Sequence, residues 1–363
     1  SRLAGDWLEK NRADKFFLFL HFYDPHDDYD PPEPAASKFP DDLYSGEIAY
    51  TDDCIGQVIK TLKRLGLYES SLIIITSDHG EMLGEHNEST HGFFIYQSAL
   101  RVPLIFKLPG NRKRKSVPGL TSIIDIVPTI LQMLELEIPS HIQGKDLSGY
   151  FGKNAIDDKD RHVYCETQEP AAYGANGLLG VISPRYKYIQ TTRPELYDLI
   201  NDPCELNDLS LTEPKRARMM QATLSRIMEE SVNQTPTDTR MPLNDEAVRR
   251  LGALGYVGST EAEDFVFDQS RPDPKDVIAF VTQSSKGFNF LHSEKYNEAI
   301  AEFDKAIPLK PEFPKTYYNR GYCYMALKNY DQAIVDFSLA IERDPNYSDA
   351  YDNRGTCYRH KGD

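Results

Sequence analysis

Long apolar runs are missing from this chain of 363 residues. No stretch approaches the ~20 consecutive apolar positions of a membrane-crossing helix, so no membrane segment is expected. Basic charge is scarce as well. Lys and Arg number 41 against 56 Asp and Glu, a net charge of -15, which argues against the basic face that nucleic-acid recognition requires. The one basic run, Arg112-Lys113-Arg114-Lys115, lies between Pro109-Gly110 and Pro118-Gly119 and reads as a solvated loop. Cysteine is sparse: five residues at irregular spacing, an odd number that suggests no disulfide framework. No signal peptide is visible, and localisation stays open. The chain starts on Ser1 with residues that read as mid-domain, which gives the expectation of a longer natural protein. The composition is otherwise that of an ordinary globular protein, and the length suffices for roughly two or three domains.

The C-terminal part repeats itself. Gly287, Gly321 and Gly355 are spaced by 34 residues, and the same interval relates Tyr296 to Tyr330, Ala299 to Ala333, Phe303 to Phe337, Ala306 to Ala340 and Pro311 to Pro345. These positions match the tetratricopeptide pattern. Its glycine lets two helices approach closely, its alanines and phenylalanine fill the seam, and its proline ends the second helix. Two repeats are complete between about 280 and 347, and a third begins near Ser348, so further repeats are expected in the natural protein. Cys323 and Cys357, one period apart, are expected in the packed seam. The resemblance implies a protein or peptide partner on the concave face, with Asn319, Arg320, Asn353 and Arg354 as contact candidates.

The N-terminal part reads as α/β. Phe16–Phe22, Leu72–Thr76 and Val102–Phe106 are short apolar runs of the kind found in strands buried on both faces. Between the first two, Ile48, Ile55, Val58, Ile59, Leu62 and Leu65 recur at helical spacing, and Gly66 supplies a stop. Strand, helix, strand at this length predicts a βαβ crossover and a mainly parallel sheet sandwiched by helices. A further helix is expected over Ile123–Leu134. Parallel α/β sheets hold ligands beyond the carboxyl ends of their strands. There the chain places His21 and Asp24-Pro25-His26 after the first run, and Asp78-His79-Gly80 after the second. Five of its nine histidines (His21, His26, His79, His86 and His91) fall within the first 91 residues. A carboxylate beside an imidazole suits a divalent cation, and Gly80 removes a side chain that would crowd it. A buried histidine capped by its neighbour is the alternative reading of Asp-His-Gly taken alone.

The run Ser77-Asp78-His79-Gly80-Glu81-Met82-Leu83-Gly84-Glu85-His86 is similar to the second signature of the sulfatase family, in the alkaline-phosphatase superfamily. Other stretches resemble the family in the same order: Asp24-Pro25-His26 with Tyr29 and Pro31-Pro32; His91-Gly92; Leu100-Arg101-Val102-Pro103-Leu104; Asp125-Ile126-Val127-Pro128-Thr129; and Glu195-Leu196-Tyr197-Asp198-Leu199. Leu251-Gly252-Ala253-Leu254-Gly255-Tyr256-Val257-Gly258 looks like the join to repeat arrays in fused members. The resemblance covers about residues 1–260. It implies one divalent metal held in part by Asp78 and His79, calcium first, with zinc or manganese as alternatives that suit imidazole. It implies His26 on an oxygen of the sulfate ester, and His91 where many relatives carry a lysine that contacts the sulfate. His21 reads as a packed histidine. Glu85 and His86 read either as groups that orient the loop or as surface residues.

The family's attacking group is an aldehyde hydrate made from Cys or Ser in Cys/Ser-x-Pro-x-Arg, and this sequence contains no such motif. The formylglycine and the paired aspartates of the rest of the metal site are therefore expected in a missing N-terminal part, and the chain alone is expected to be inactive. Asp27-Asp28, Asp41-Asp42 and Asp52-Asp53 read as loop or helix surface. The expected organisation is the rear half of a sulfatase-like α/β core at 1–155 and a small C-terminal α+β subdomain at 156–233. A linker with a short helix (Asp245–Leu251) follows at 234–275, and an all-α tetratricopeptide helical array at 276–363. In the subdomain Leu178–Ile182 and Tyr186–Gln190 read as strands and Pro214–Glu230 as a helix, with Arg185 and Lys187 either reaching a polyanionic substrate or standing as exposed strand charges. The implied activity is metal-dependent hydrolysis of sulfate esters, on carbohydrate among other candidates. A phosphoesterase of the same superfamily, or an inactive hydrolase domain serving a repeat scaffold, are the alternatives. Polar groups as costly to bury as His26, Asp78 and His79 argue against a decayed site.

Overall fold

The computed structural model describes residues 1–26, 29–111, 113–152, 158–234 and 268–362. The pair Asp27-Asp28, Arg112, the expected helix Asp245–Leu251, the stretch Leu251–Gly258 and most of the expected linker lie outside the described residues. Two compact units emerge. One is built from Ser1–Asp78 and Val102–Asp157, the other from His79–Arg101, Asp158–Val232 and Phe265–Asp363.

In the first unit, helix α1 (Arg2–Lys10) buries Ala4 and Leu8, and α2 spans Leu43–Arg64. Asp42 starts α2 as an N-cap whose carboxylate accepts from the Ser45 amide at 3.0 Å. Lys63 and Arg64 occupy its last turn, and Gly66 at φ 74° makes the left-handed exit that glycine favours. Gly46 is needed for packing: a Cβ there would fall 2.8 Å from the Pro31 ring. Strand β1 (Ile73–Thr76) pairs with β2 (Leu104–Lys107), and helix α3 (Ile126–Met133) follows an initial 3-10 turn over Ile123–Asp125, with Pro128 in its first turn. This is the mixed α/β region expected.

Among the described residues no parallel strand pair forms. Strands β1 and β2 run antiparallel, with Ile73 opposite Lys107 and Thr76 opposite Leu104. Residues 16–22 are assigned no strand among the described residues. A parallel return needs a covering crossover, most often a helix. The segment between β1 and β2 has only short helical turns, and its apolar residues Met82 and Phe93–Tyr96 are spent in the core of the second unit. In the 16–22 run Phe17 and Phe19 are 77% and 78% exposed while Phe16 and Leu18 are half-buried, so the run is covered on one side only. His21, expected to pack, is exposed for the same reason.

The second unit contains a four-stranded antiparallel sheet of β3 (Val163–Thr167), β4 (Leu178–Ile182), β5 (Tyr186–Gln190) and β6 (Glu195–Asp198), in that order. Both faces are covered, as the two-residue period requires. Leu179, Val181, Tyr188 and Leu196 pack on Met220 and Leu224 of α4 (Pro214–Gln234). Leu178, Ile189 and Tyr197 join a second cluster with Phe93–Tyr96 and with Val277, Ile278, Phe280 and Val281 of α5 (Pro274–His292). Gly180 permits that contact: a Cβ would lie 2.8 Å from Ile95 and 2.7 Å from the Cys165 sulfur.

Helices α5 and α6 (Tyr296–Ala306), then α7 (Pro314–Ala326) and α8 (Tyr330–Arg343), form two antiparallel-type repeat pairs, and α9 (Ser348–Lys361) opens a third. The repeat residues take the places expected of them. Ala299, Phe303, Ala306, Ala333, Phe337, Ala340, Cys323 and Cys357 are fully buried. A Cβ on Gly287 would meet the Phe303 ring at 2.6 Å, and one on Gly321 the Phe337 ring at 3.1 Å. The contact candidates on the first helices are engaged within the array. Arg320 forks onto Asp336 at 2.8 and 2.7 Å and reaches Asp304 at 2.5 Å. Asn353 donates to the Tyr318 hydroxyl, Arg354 to Ser338, and Asn319 is buried.

Candidate functional site

His26 belongs to the first unit, in a loop held by α2. The buried Glu47 carboxylate accepts from the amides of His26 at 3.1 Å and Asp30 at 2.7 Å, and Thr51 donates to the Asp24 carbonyl at 3.1 Å. A carboxylate removed from water needs such donors, and here the donors are the loop's own backbone. Tyr23 stacks on the His26 ring at 4.5 Å. Asp78 ends the same unit just past β1, exposed, with the Ser77 hydroxyl 3.3 Å from its carboxylate.

His79 opens the second unit and heads a loop running to Tyr96. Its Nδ1 lies 2.8 Å from the Gly80 carbonyl. A carbonyl only accepts, so Nδ1 carries the proton and Nε2 of the neutral ring carries the lone pair. Histidines that bind metals are commonly held this way. The His79 ring stacks on His91 at 3.7 Å and 26°. His91 Nδ1 is 3.2 Å from both oxygens of Glu81, whose side chain is almost fully buried. The structure therefore brings His79, Glu81 and His91 together. Gly80 is obligatory: its amide donates to the Ala99 carbonyl at 2.7 Å, and a Cβ would lie 2.1 Å from the Ser98 carbonyl oxygen.

The far side of the loop is as firmly held. Met82 and Thr90 are bridged by a 2.8 Å backbone hydrogen bond. Buried Glu88 accepts from the Phe93 and Phe94 amides at 2.8 and 2.9 Å, and burial pushes its carboxyl up to about 7 against those donors. His86, in the left-handed region at φ 50°, stacks on Tyr96 at 3.6 Å, and Glu85 accepts from the Leu83 amide at 2.6 Å. Both residues thus shape the loop. Glu88 was not legible in the sequence, because no period or motif marks a single acid that turns inward.

Lys187 does not reach outward. It is fully buried, 2.8 Å from Glu205, and bonds the Ile95 carbonyl. Arg185 pairs with Asp198 at 2.7 Å and holds that carboxyl down near 2.

A divalent cation is implied for a site of this type, and the donors fit it in kind: the carboxylate of Asp78 and, next in sequence, a histidine whose Nδ1 is occupied by a carbonyl. They do not complete it in number. Among the described residues no three His, Cys, Asp or Glu side chains are gathered as a metal would require.

Comparison with known proteins bears on this geometry. Residues 2–136 match the sulfatase family, and 84–234 match the C-terminal region of N-sulphoglucosamine sulphohydrolase. Residues 290–328 and 314–347 match tetratricopeptide repeats. Matches to sulfatase models over residues 2–234 are thus followed by matches to tetratricopeptide repeats over 290–347. The chain is 29% identical over 195 residues to arylsulfatase K of Bos taurus, covering 51% of this chain and 36% of that protein. It is 32% identical over 173 residues to an ulvan-active sulfatase of Formosa agariphila, covering 46% and 34%. The chain thus spans about a third of the length of these curated relatives. Among solved structures, yidJ of Bacteroides fragilis, assigned as a sulfatase, superposes with a TM-score of 0.57 at 23% identity, over 63% of this chain and 57% of that one. That likeness speaks for the fold.

Proposed function

We propose that this chain is part of a sulfate ester hydrolase in which Asp78 and His79 are two of the ligands of a divalent metal, calcium in first place, and His26 and His91 act on the ester. The observation that carries the proposal is the hydrogen bond from His79 Nδ1 to the Gly80 carbonyl, which leaves Nε2 as the ring atom able to ligate a metal. The metal would supply positive charge to the sulfate oxygens. The chain's own residues do the rest. Glu81 holds the His91 ring through Nδ1, and with that nitrogen engaged Nε2 would donate to a sulfate oxygen in the imidazolium form. Glu47 fixes the backbone on which His26 sits, and His26 donates to the departing alcohol oxygen. The attacking formylglycine would come from residues outside this chain, and the repeats would take a protein or peptide partner. Carbohydrate sulfates are the substrate class that the ulvan-active relative favours.

The test is hydrolysis of aryl and carbohydrate sulfates by the intact protein containing this chain, produced with its maturation enzyme. Asp78→Asn and His79→Ala should each lower kcat/KM by about 10²-fold or more. No turnover of any sulfate ester by the intact protein, or full activity in both variants, would reject the reading.

A further inference from the structure

Helix α5, the first of the repeat array, meets the loop of His79 and His91 directly. The Thr282 hydroxyl donates to the carbonyl of Asn87 at 2.8 Å, across 195 residues of sequence. Asn87 and His86 are the two left-handed non-glycine residues at the tip of that loop, at φ 66° and 50°. Next to them Glu88 turns inward onto the Phe93 and Phe94 amides, and three residues on stands His91. At its other end α5 is pinned by Lys275, 2.5 Å from Glu195, which also accepts from Tyr96 at 2.8 Å; Tyr96 in turn carries the His86 ring. Between these points Val277, Ile278, Phe280 and Val281 share one core with Phe93–Tyr96. A small open cleft lined by Glu88, His91, Tyr173, Ile278, Thr282 and Ser285 has the repeat helix as one wall.

Packing alone does not call for a hydroxyl at position 282. Valine has the same shape and would fill the seam, and a helical threonine ordinarily bonds its own preceding turn. Here the hydroxyl serves a carbonyl on another segment, at the tip where the backbone is held in a sparsely populated conformation. We propose that α5 is a positioning element of the candidate site, with Thr282 the residue that holds the loop of His79 and His91 in its working geometry. The repeat array is then a structural part of the hydrolase. The catalytic meaning of this rests on the sulfatase reading; the positioning itself does not.

Hydrogen exchange on this chain decides the positioning. Thr282→Val should speed amide exchange across residues 82–96 by about five- to tenfold, the loss of one hydrogen bond, with 178–198 and 314–361 unchanged. Thr282→Ser, which keeps the donor, should restore the parent rate. Parent-like exchange in Thr282→Val, or a rise spread equally through the repeat helices, overturns the proposal. In the intact protein Thr282→Val should lower kcat about tenfold while KM holds, and an unchanged kcat overturns the catalytic part. If the intact parent cleaves no sulfate ester, the proposed function falls, and the exchange result still decides whether Thr282 positions the loop.

Discussion

The rings of His79 and His91 stack at 3.7 Å, and each is fixed through its own Nδ1, one by the Gly80 carbonyl and the other by the Glu81 carboxylate. The two imidazoles are thereby fixed as a pair. Replacing Glu81 with Gln should leave the fold intact and exchange the charge-assisted hydrogen bond to His91 Nδ1 for a weaker neutral one. In the intact protein that change should lower kcat/KM for a sulfate ester by about 10-fold or more, and His91→Ala by about 10²-fold. Steady-state kinetics on both variants checks this, and equal activity in Glu81→Gln and parent would remove Glu81 from the site.

Lys187 and Glu205 form a buried ion pair, which makes them sensitive to loss of one partner. Lys187→Met should strand the Glu205 carboxylate in the core and cost about 3–5 kcal/mol. The double variant Lys187→Met/Glu205→Gln should recover much of that loss, since no uncompensated charge remains. Urea denaturation of the two variants against the parent reads the difference.

Gly287 and Gly355, equivalent positions two repeats apart, should not respond alike. Gly287→Ala places a methyl 2.6 Å from the Phe303 ring and should destabilise by about 1–3 kcal/mol. Gly355 has nothing within 4 Å of its Cβ position, so Gly355→Ala should be neutral or stabilise α9 by up to about 1 kcal/mol. Thermal melts of both variants test the contrast.

Glu88 predicts a pH dependence. Its carboxyl, ordinarily near 4.5, is pushed up to about 7 mainly by burial. Below 4.5 both folded and unfolded states hold the proton, so the group is neutral in its effect. Between 4.5 and about 7 only the folded state holds it, and stability falls as pH rises. The contribution levels off above 7, at a penalty on the order of 3 kcal/mol. Glu88→Gln should flatten this part of the stability profile between pH 5 and 8. An unaltered profile would show that the Phe93 and Phe94 amides keep Glu88 ionised throughout.

What the sequence determined by itself is what local chain chemistry fixes. The 34-residue interval placed the repeat helices and their glycine–phenylalanine contacts, because each repeat is built from neighbours in sequence. The strands at 178–182 and 186–190 and the helix from Pro214 were legible for the same reason, as was the Asp78-His79-Gly80 triplet after β1. Tertiary structure alone decided the rest. It set β1 and β2 antiparallel, because the apolar residues between them belong to another core. It turned Lys187 inward onto Glu205, and it committed Arg320 to Asp304 and Asp336 within the array. It also brought Thr282 to Asn87, 195 residues away. A charge or hydroxyl looks the same in sequence whether water or a buried partner receives it, and only the packing of distant segments determines which.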